Sequence, residues 1–198
     1  MKIFYSLTDP DLTALLAAGA VGVMPTDTVY GLVARADRPE SVARMYALKQ
    51  REAKPGTSIA ASVEQLQALG LPTADLDRVA HLWPNPISVV MPHPLTYIHQ
   101  GRGDSPFRVV ADPVLQGLLT QTGPLVTTSA NAPGEPTAHD LASAQAYFGD
   151  QVDFYVDDAR SQGERPASTI IGLSDDGVVV FRQGAIKVTD TGDIDHAI

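Results

Sequence analysis

The feature that most constrains this chain is its set of short, β-branched runs cut apart by proline and glycine. "AVGVM", "ISVVM", "FRVV", "LVTTSA", "VDFYV", "STIIGL" and "GVVVF" each have the length and composition of a strand, and none is long enough to span a bilayer. Stretches of helical length lie among them. Asp11 to Gly19 suits a helix. Pro39 and Glu40 open a second, since proline fits a first turn and an acid there complements the helix dipole. "ADLDRVAHLW" suits a third, stopped by Pro84, and "PVLQGLLTQTG" and "HDLASAQAYFG" suit two more, each ending on glycine. Strands and helices mix without alternating strictly. The expected fold is therefore α/β, an open twisted mixed sheet with flanking helices, rather than a regular doubly wound one.

The length, 198 residues, fits one domain over residues 1–198, and 44% hydrophobic residues suffice for a sizeable core. The chain has no cysteine, which excludes a disulfide framework and a thiolate metal site. The N-terminal stretch lacks the apolar centre of a signal peptide, so a cytoplasmic location and no membrane association are expected. A net charge of −9 argues against broad, non-specific nucleic-acid binding. Yet Arg44, Lys49, Arg51 and Lys54 fall within eleven positions, which leaves room for a basic pocket in an acidic protein.

Several chemistries find no support. There is no Walker A pattern and no G-x-G-x-x-G after a strand. The histidines, His81, His93, His99, His139 and His196, show no metal-ligand spacing and read as surface or satisfied side chains. Ser129 lacks the flanking glycines of a nucleophile elbow. "GRGDSP" reads as a flexible loop.

Six stretches carry polar groups where strands or helices end, the places where α/β folds gather ligands. "PTDTVYGL", Pro25 to Leu32, is a polar turn after a buried strand. "LKQREAK" closes the second helix. In a continuing helix Lys49 and Arg51 would point about 200° apart, so the helix must end near Lys49 if both serve one polyphosphate. "VTTSANAPGEP" sets Thr127, Thr128, Ser129 and Asn131 where a strand meets a loop, with hydroxyls and amides free to bind a ligand or to close a turn. "FRVV" places Arg108 in a strand. Ser168 and Thr169 open another strand, and Arg182 ends the next.

In order, "PTDTVYGL", "LKQR", "FRVVADP", "TTSANAPGEP", "STII" and "FRQG" resemble the YrdC-like threonylcarbamoyl-AMP synthases, over about Gly19 to Ile186. The match is to the short, single-domain type. The resemblance implies an open twisted sheet around a concave, positively charged cleft. It implies a nucleotidyltransferase that joins L-threonine, bicarbonate and ATP, with Mg²⁺ accompanying the ATP, to give threonylcarbamoyl-AMP and pyrophosphate. A tRNA-modifying transferase complex then uses that product, and weak tRNA binding is compatible with the family.

By the same resemblance, Thr26, Tyr30, Arg108, Thr127 and Ser168 surround threonine, with Arg108 on its carboxylate and Thr28 shaping the pocket. Lys49, Arg51, Ser129, Asn131, Thr137 and Arg182 face ATP, and Lys49 and Arg51 carry the catalytic charge. Three positions depart from the family pattern: Glu52 where proline is usual, Ser58 where an apolar residue is common, and Asp104 where a hydroxyl is frequent. Besides the synthase, an RNA-binding module and a regulatory relative that binds ATP or threonine without synthesis remain open on the sequence.

Overall fold

The computed structural model describes residues 1–50, 54–158, 165–174, 177–189 and 194–195. In chain order its elements are β1 (Lys2–Phe4), α1 (Pro10–Ala17), β2 (Gly22–Pro25), β3 (Tyr30–Arg35), α2 (Pro39–Leu48), β4 (Thr57–Ala60), α3 (Val63–Ala68) and α4 (Thr73–Val79), which runs on into a 3-10 turn, Ala80–Leu82. They continue with β5 (Ile87–Pro92), α5 (Thr96–His99), β6 (Asp104–Val109), α6 (Pro113–Thr122), β7 (Leu125–Ser129), α7 (Leu141–Phe148), β8 (Phe154–Val156), β9 (Thr169–Ser174), β10 (Gly177–Arg182), β11 (Lys187–Val188) and β12 (Ile194–Asp195).

Ten strands form one mixed sheet in the order β1-β8-β2-β3-β7-β4-β6-β5-β9-β10. The pairs β1–β8, β2–β8, β4–β6 and β5–β9 are parallel, and the other neighbours are antiparallel. The expected mixed α/β sheet is thus the observed one. Among the described residues no helix is long and apolar enough to cross a membrane.

The helices form for local reasons. In α6, Asp112 caps the N-terminus by accepting from the Val114 and Leu115 N–H groups, Pro113 occupies the first turn, and Gly123 ends it at φ +84°. In α1, Asp9 and Pro10 play the same parts. Strand alternation then decides what each face holds. In β3, Tyr30, Leu32 and Ala34 pack with Val42, Met45 and Tyr46 of α2 and with Ala144 and Phe148 of α7. Val33 turns the other way, toward Leu12 and Leu16 of α1 and Leu115 and Leu119 of α6. Each fully buried leucine there contributes about 1.5–3 kcal/mol.

At the other end of the sheet, Ile87 and Val89 of β5, Phe107 of β6 and Ile171 of β9 pack against Leu66, Leu76 and Trp83. Their strand neighbours Ser88, Arg108 and Ile170 fall on the opposite face. That face of β5, β6 and β9 is where the polar site forms.

One expectation about a loop changes. "GRGDSP" is held rather than loose: His99 Nδ1 accepts from the Gly101 and Gly103 N–H groups, each at 3.1 Å, and Asp104 to Pro106 already pair with β5. The segment after Lys54 is a central strand, β4, and it seats Ser58 fully buried with its Oγ unpartnered. A buried hydroxyl without a partner is destabilising, so Ser58→Ala is expected to raise the unfolding free energy by about 1 kcal/mol in urea titrations.

His93 is buried under the same loop. Its Nδ1 accepts the Leu95 N–H at 3.2 Å, so the proton sits on Nε2, which faces Ser105 Oγ at 2.8 Å. Burial, then neighbouring His99, push its pKa down to about 4, against a smaller upward pull from Asp104. The unfolded chain binds this proton below about 6.5 and the folded chain only below about 4. Stability is therefore full above pH 6.5 and falls with acidification between those values, by up to about 1.4 kcal/mol per pH unit. Unfolding titrations of His93→Gln should lack that component.

Candidate functional site

The site is assembled from loops and strand ends that the sheet order brings together. The turn between β2 and β3 is built by Thr26, whose Oγ1 donates to the Val29 carbonyl at 2.7 Å and accepts the Thr28 N–H at 3.2 Å. A hydroxyl closing a turn in this way frees the neighbouring side chains for other partners. Asp27 uses that freedom. Its Oδ1 accepts from Arg108 Nη2 at 2.7 Å, across 81 residues of sequence, and both side chains are buried.

Arg108 Nη1 donates to Ser88 Oγ at 3.2 Å, and Ser88 donates to Ser168 Oγ at 3.0 Å. Arg182 closes the chain from the far side. Its Nη2 donates to the Ser168 carbonyl at 2.8 Å and to Ser168 Oγ at 3.3 Å. A continuous polar line thus crosses the face of β6, β5, β9 and β10. It is not fully satisfied, since Asp27 Oδ2 and Arg108 Nε are buried without a partner.

The loop after β7 is organised by Lys49. As the geometry of two cations serving one site requires, α2 stops at Leu48. Lys49 is its C-cap, and Gln50 follows at φ +48°. The ammonium donates to the carbonyls of Ser129, at 2.8 Å, and Asn131, at 2.6 Å, and to Asn131 Oδ1. Asn131 Oδ1 also accepts from Ser129 Oγ at 2.7 Å, while Asn131 Nδ2 donates to the Glu135 carbonyl at 2.6 Å. A cation at a helix C-terminus is also favoured by the dipole. Lys49 is buried against this loop, so its contacts are with protein oxygens. Arg51 and Glu52 lie outside the described residues.

These parts surround adjoining cavities. One, of about 200 Å³, is lined by Thr26, Thr28, Arg108, Thr127, Ser129, Thr137, Ser168 and Arg182, among others. A second, of about 290 Å³, shares Thr26, Thr28 and Thr137 with the first and adds Tyr30, His139 and Arg165. A third depression, on the other side of Ser129, is lined by Lys49, Lys54 and Asn131. The residues singled out in the sequence therefore converge. Thr26, Arg108, Thr127, Ser129, Thr137, Ser168 and Arg182 share one cavity, Tyr30 lines its neighbour, and Lys49 and Asn131 form the wall beyond Ser129.

Tyr30 stays protonated. Burial first, then the charges of Asp157, Asp140 and Asp158, push its phenol up to about 12. Asp104 begins β6 half-exposed, 3.8 Å from Arg102 Nε, and takes no part in the first cavity's lining.

Gly31 is needed for close approach. A Cβ on Gly31 would fall 2.2 Å from Thr127 Oγ1, where β3 and β7 pair. Thr127 is a short β-branched side chain on a central strand and has little room to move. Gly31→Ala is expected to cost about 1–3 kcal/mol in thermal or urea unfolding and to displace the Thr127 hydroxyl from the cavity.

Two members of the polar line escape sequence reasoning. Asp27 is visible only as a turn acid, and Ser88 as a serine inside "ISVVM". Their signal is tertiary: no spacing rule pairs Asp27 with Arg108, or Ser88 with Ser168.

The comparisons with known proteins bear on the fold and the family. A threonylcarbamoyl-AMP synthase of Stutzerimonas stutzeri is 36% identical over 171 residues, covering 83% of this chain and 92% of that protein. The crystal structure of P. abyssi Sua5 complexed with L-threonine superposes with a TM-score of 0.81 at 25% identity, over 94% of this chain. This chain spans 58% of that longer protein. The crystal structure of E. coli YciO, 22% identical and alike in fold, matches with a TM-score of 0.80 over 96% of this chain and 100% of its own. The family profile for Sua5, YciO and YrdC proteins, described as "Telomere recombination", matches residues 14–184. The chain belongs to the Sua5/YciO/YrdC family.

Proposed function

We propose that this protein is an L-threonylcarbamoyladenylate synthase, forming threonylcarbamoyl-AMP and pyrophosphate from L-threonine, bicarbonate and ATP. The observation that carries the reading is the single cavity in which Arg108, Ser168, Thr127 and Arg182 meet Ser129 and Thr137. The name of the Stutzerimonas relative and the threonine held by P. abyssi Sua5 support it. The expected positively charged cleft is part of this proposal, with Arg108 and Arg182 in the cavity wall.

The chemistry follows from the donors available. A guanidinium donates and never accepts, so Arg108 suits an amino acid's carboxylate. Threonine's amine, once neutral, attacks the carbon dioxide that bicarbonate yields on losing hydroxide, and the proton that leaves the nitrogen converts that hydroxide to water. The carbamate oxygen then attacks the α-phosphorus of ATP, and the bond to pyrophosphate breaks. This requires no covalent nucleophile from the protein. The chain's residues orient the carbamate in line with the α-phosphorus and hold the negative charge that develops.

On this reading Arg182 serves the nucleotide side, and Lys49 acts there by holding the Ser129–Asn131 loop. Arg51, two residues after Lys49 in the "LKQR" motif, is assigned to the phosphates. No described cluster of three His, Asp or Glu is placed to cage a metal ion. Mg²⁺ bound through the phosphates of ATP fits such a site, because it needs few protein ligands. When bound it neutralises phosphate charge. The product would pass in the cytoplasm to a tRNA-modifying transferase complex.

The test supplies ATP, Mg²⁺ and bicarbonate with each amino acid in turn. Pyrophosphate release confined to threonine is expected. Release without any amino acid would refute the reading, and tRNA binding without turnover would favour the RNA module instead.

A further inference from the structure

We infer that Ser88 is a positioning residue that aims two donors, the Arg108 guanidinium and the Ser168 hydroxyl, at a carboxylate in the cavity. The inference rests on the synthase reading for the identity of that carboxylate, which is threonine's. Neither the motifs of the sequence nor the family resemblance gives Ser88 a role.

The argument is one of hydrogen-bond direction. Ser88 is fully buried in β5, between Arg108 on β6 and Ser168 at the mouth of β9. Arg108 Nη1 lies 3.2 Å from Ser88 Oγ, and a guanidinium can only donate, so Ser88 must accept there. Its own proton then has one described acceptor within reach, Ser168 Oγ at 3.0 Å. Ser168 Oγ receives a second donor from the other side, Arg182 Nη2 at 3.3 Å. Two incoming donors occupy both lone pairs of that oxygen. The Ser168 proton is left over. Among the described residues none accepts it, and Ser168 lines the cavity.

Two arginines pressing inward from opposite ends therefore turn the Ser168 O–H outward. The cavity is presented with the Arg108 guanidinium and a hydroxyl whose direction is fixed. A ligand group that is planar, anionic and accepts without donating suits both, and a carboxylate is such a group. Ser88 is the hinge of the arrangement, because it restrains Nη1 of Arg108 and sets the sense of the Ser168 hydroxyl at once. The backbone does not need its hydroxyl, since Ser88 keeps its register opposite Ile170 through the parallel β5–β9 ladder.

The experiment measures pyrophosphate release and thermal unfolding for the wild-type protein, Ser88→Ala, Ser88→Thr, Ser168→Ala and the Ser88→Ala/Ser168→Ala pair. Ser88→Ala should raise KM for threonine roughly tenfold and leave KM for ATP within about twofold, with an unfolding transition that is lowered but still cooperative. Ser88→Thr restores the hydroxyl and should recover most of the loss. The paired variant should fall short of the product of the single effects, since Ser88 acts through Ser168. Should Ser88→Ala not fold, Ser88→Cys carries the same expectation of a selective rise.

Equal changes in both KM values, or none, would overturn the inference, as would failure of a folded Ser88→Thr to recover. If the wild type is active and Ser88→Ala matches it, the inference alone falls. A wild-type protein without threonine-dependent turnover brings down the synthase reading and this inference with it.

Discussion

Replacing Arg108 by methionine is expected to cost about 3–5 kcal/mol of stability and to abolish threonine-dependent turnover. The stability loss comes from Asp27. Its carboxylate is buried, and Arg108 Nη2 at 2.7 Å is the cation that makes that burial tolerable. Methionine fills much of the space but leaves a bare charge in the interior, the circumstance in which breaking a buried pair is most damaging. The two losses separate in a double variant. Asp27→Asn removes the stranded charge, so Asp27→Asn/Arg108→Met should regain most of the stability in urea unfolding. Turnover should not return, because the guanidinium that meets the substrate carboxylate is still absent. Recovery of both together would show that Arg108 serves the fold alone.

Lys49→Met is expected to lower pyrophosphate release at least roughly tenfold, with the fold retained. Its ammonium reaches the Ser129 and Asn131 carbonyls and Asn131 Oδ1, three acceptors of the loop that closes the nucleotide side. A hydrogen bond from a charged donor is worth about 1.5–3 kcal/mol, so the loop loses its main restraint. The consequence should fall on ATP. KM for ATP should rise steeply, while threonine binding, followed by calorimetry without nucleotide, should stay near that of the wild type. An equal loss of threonine binding would show that the loop supports the whole cavity rather than one side of it.

The sequence makes much of the architecture legible where local chemistry decides. Pro39, Asp112 with Pro113, and Gly123 mark helix ends by capping and backbone preference, and α2 and α6 lie where those signals put them. β-branched runs mark β5, β7 and β9. Strands β3 and β4 are not legible for the opposite reason. "YGLVAR" follows a turn rich in polar residues and carries a glycine, and "TSIA" follows Pro55 and Gly56 and begins with two hydroxyls. Burial between neighbouring strands makes both central, and burial is a tertiary property.

The site divides in the same way. Thr26 and Arg108 are recognisable as candidates from their motifs. What they do in the free protein is decided by partners far away in the chain. Thr26 closes its own turn, and Arg108 is already paired with Asp27 across 81 residues. Lys49 looks from its position like a phosphate contact, and its reach to Asn131 requires α2 to end beside β7.

The measurement that tests the central claim most directly follows isotopically labelled bicarbonate into the nucleotide product. The protein is incubated with ATP, Mg²⁺, L-threonine and the label, and the nucleotides are analysed by mass spectrometry. The account predicts one new nucleotide that carries AMP, threonine and a single labelled carbon, formed in equal amount with pyrophosphate and absent when threonine is omitted. An AMP or ADP product that forms at the same rate without threonine, and carries no label, would contradict it.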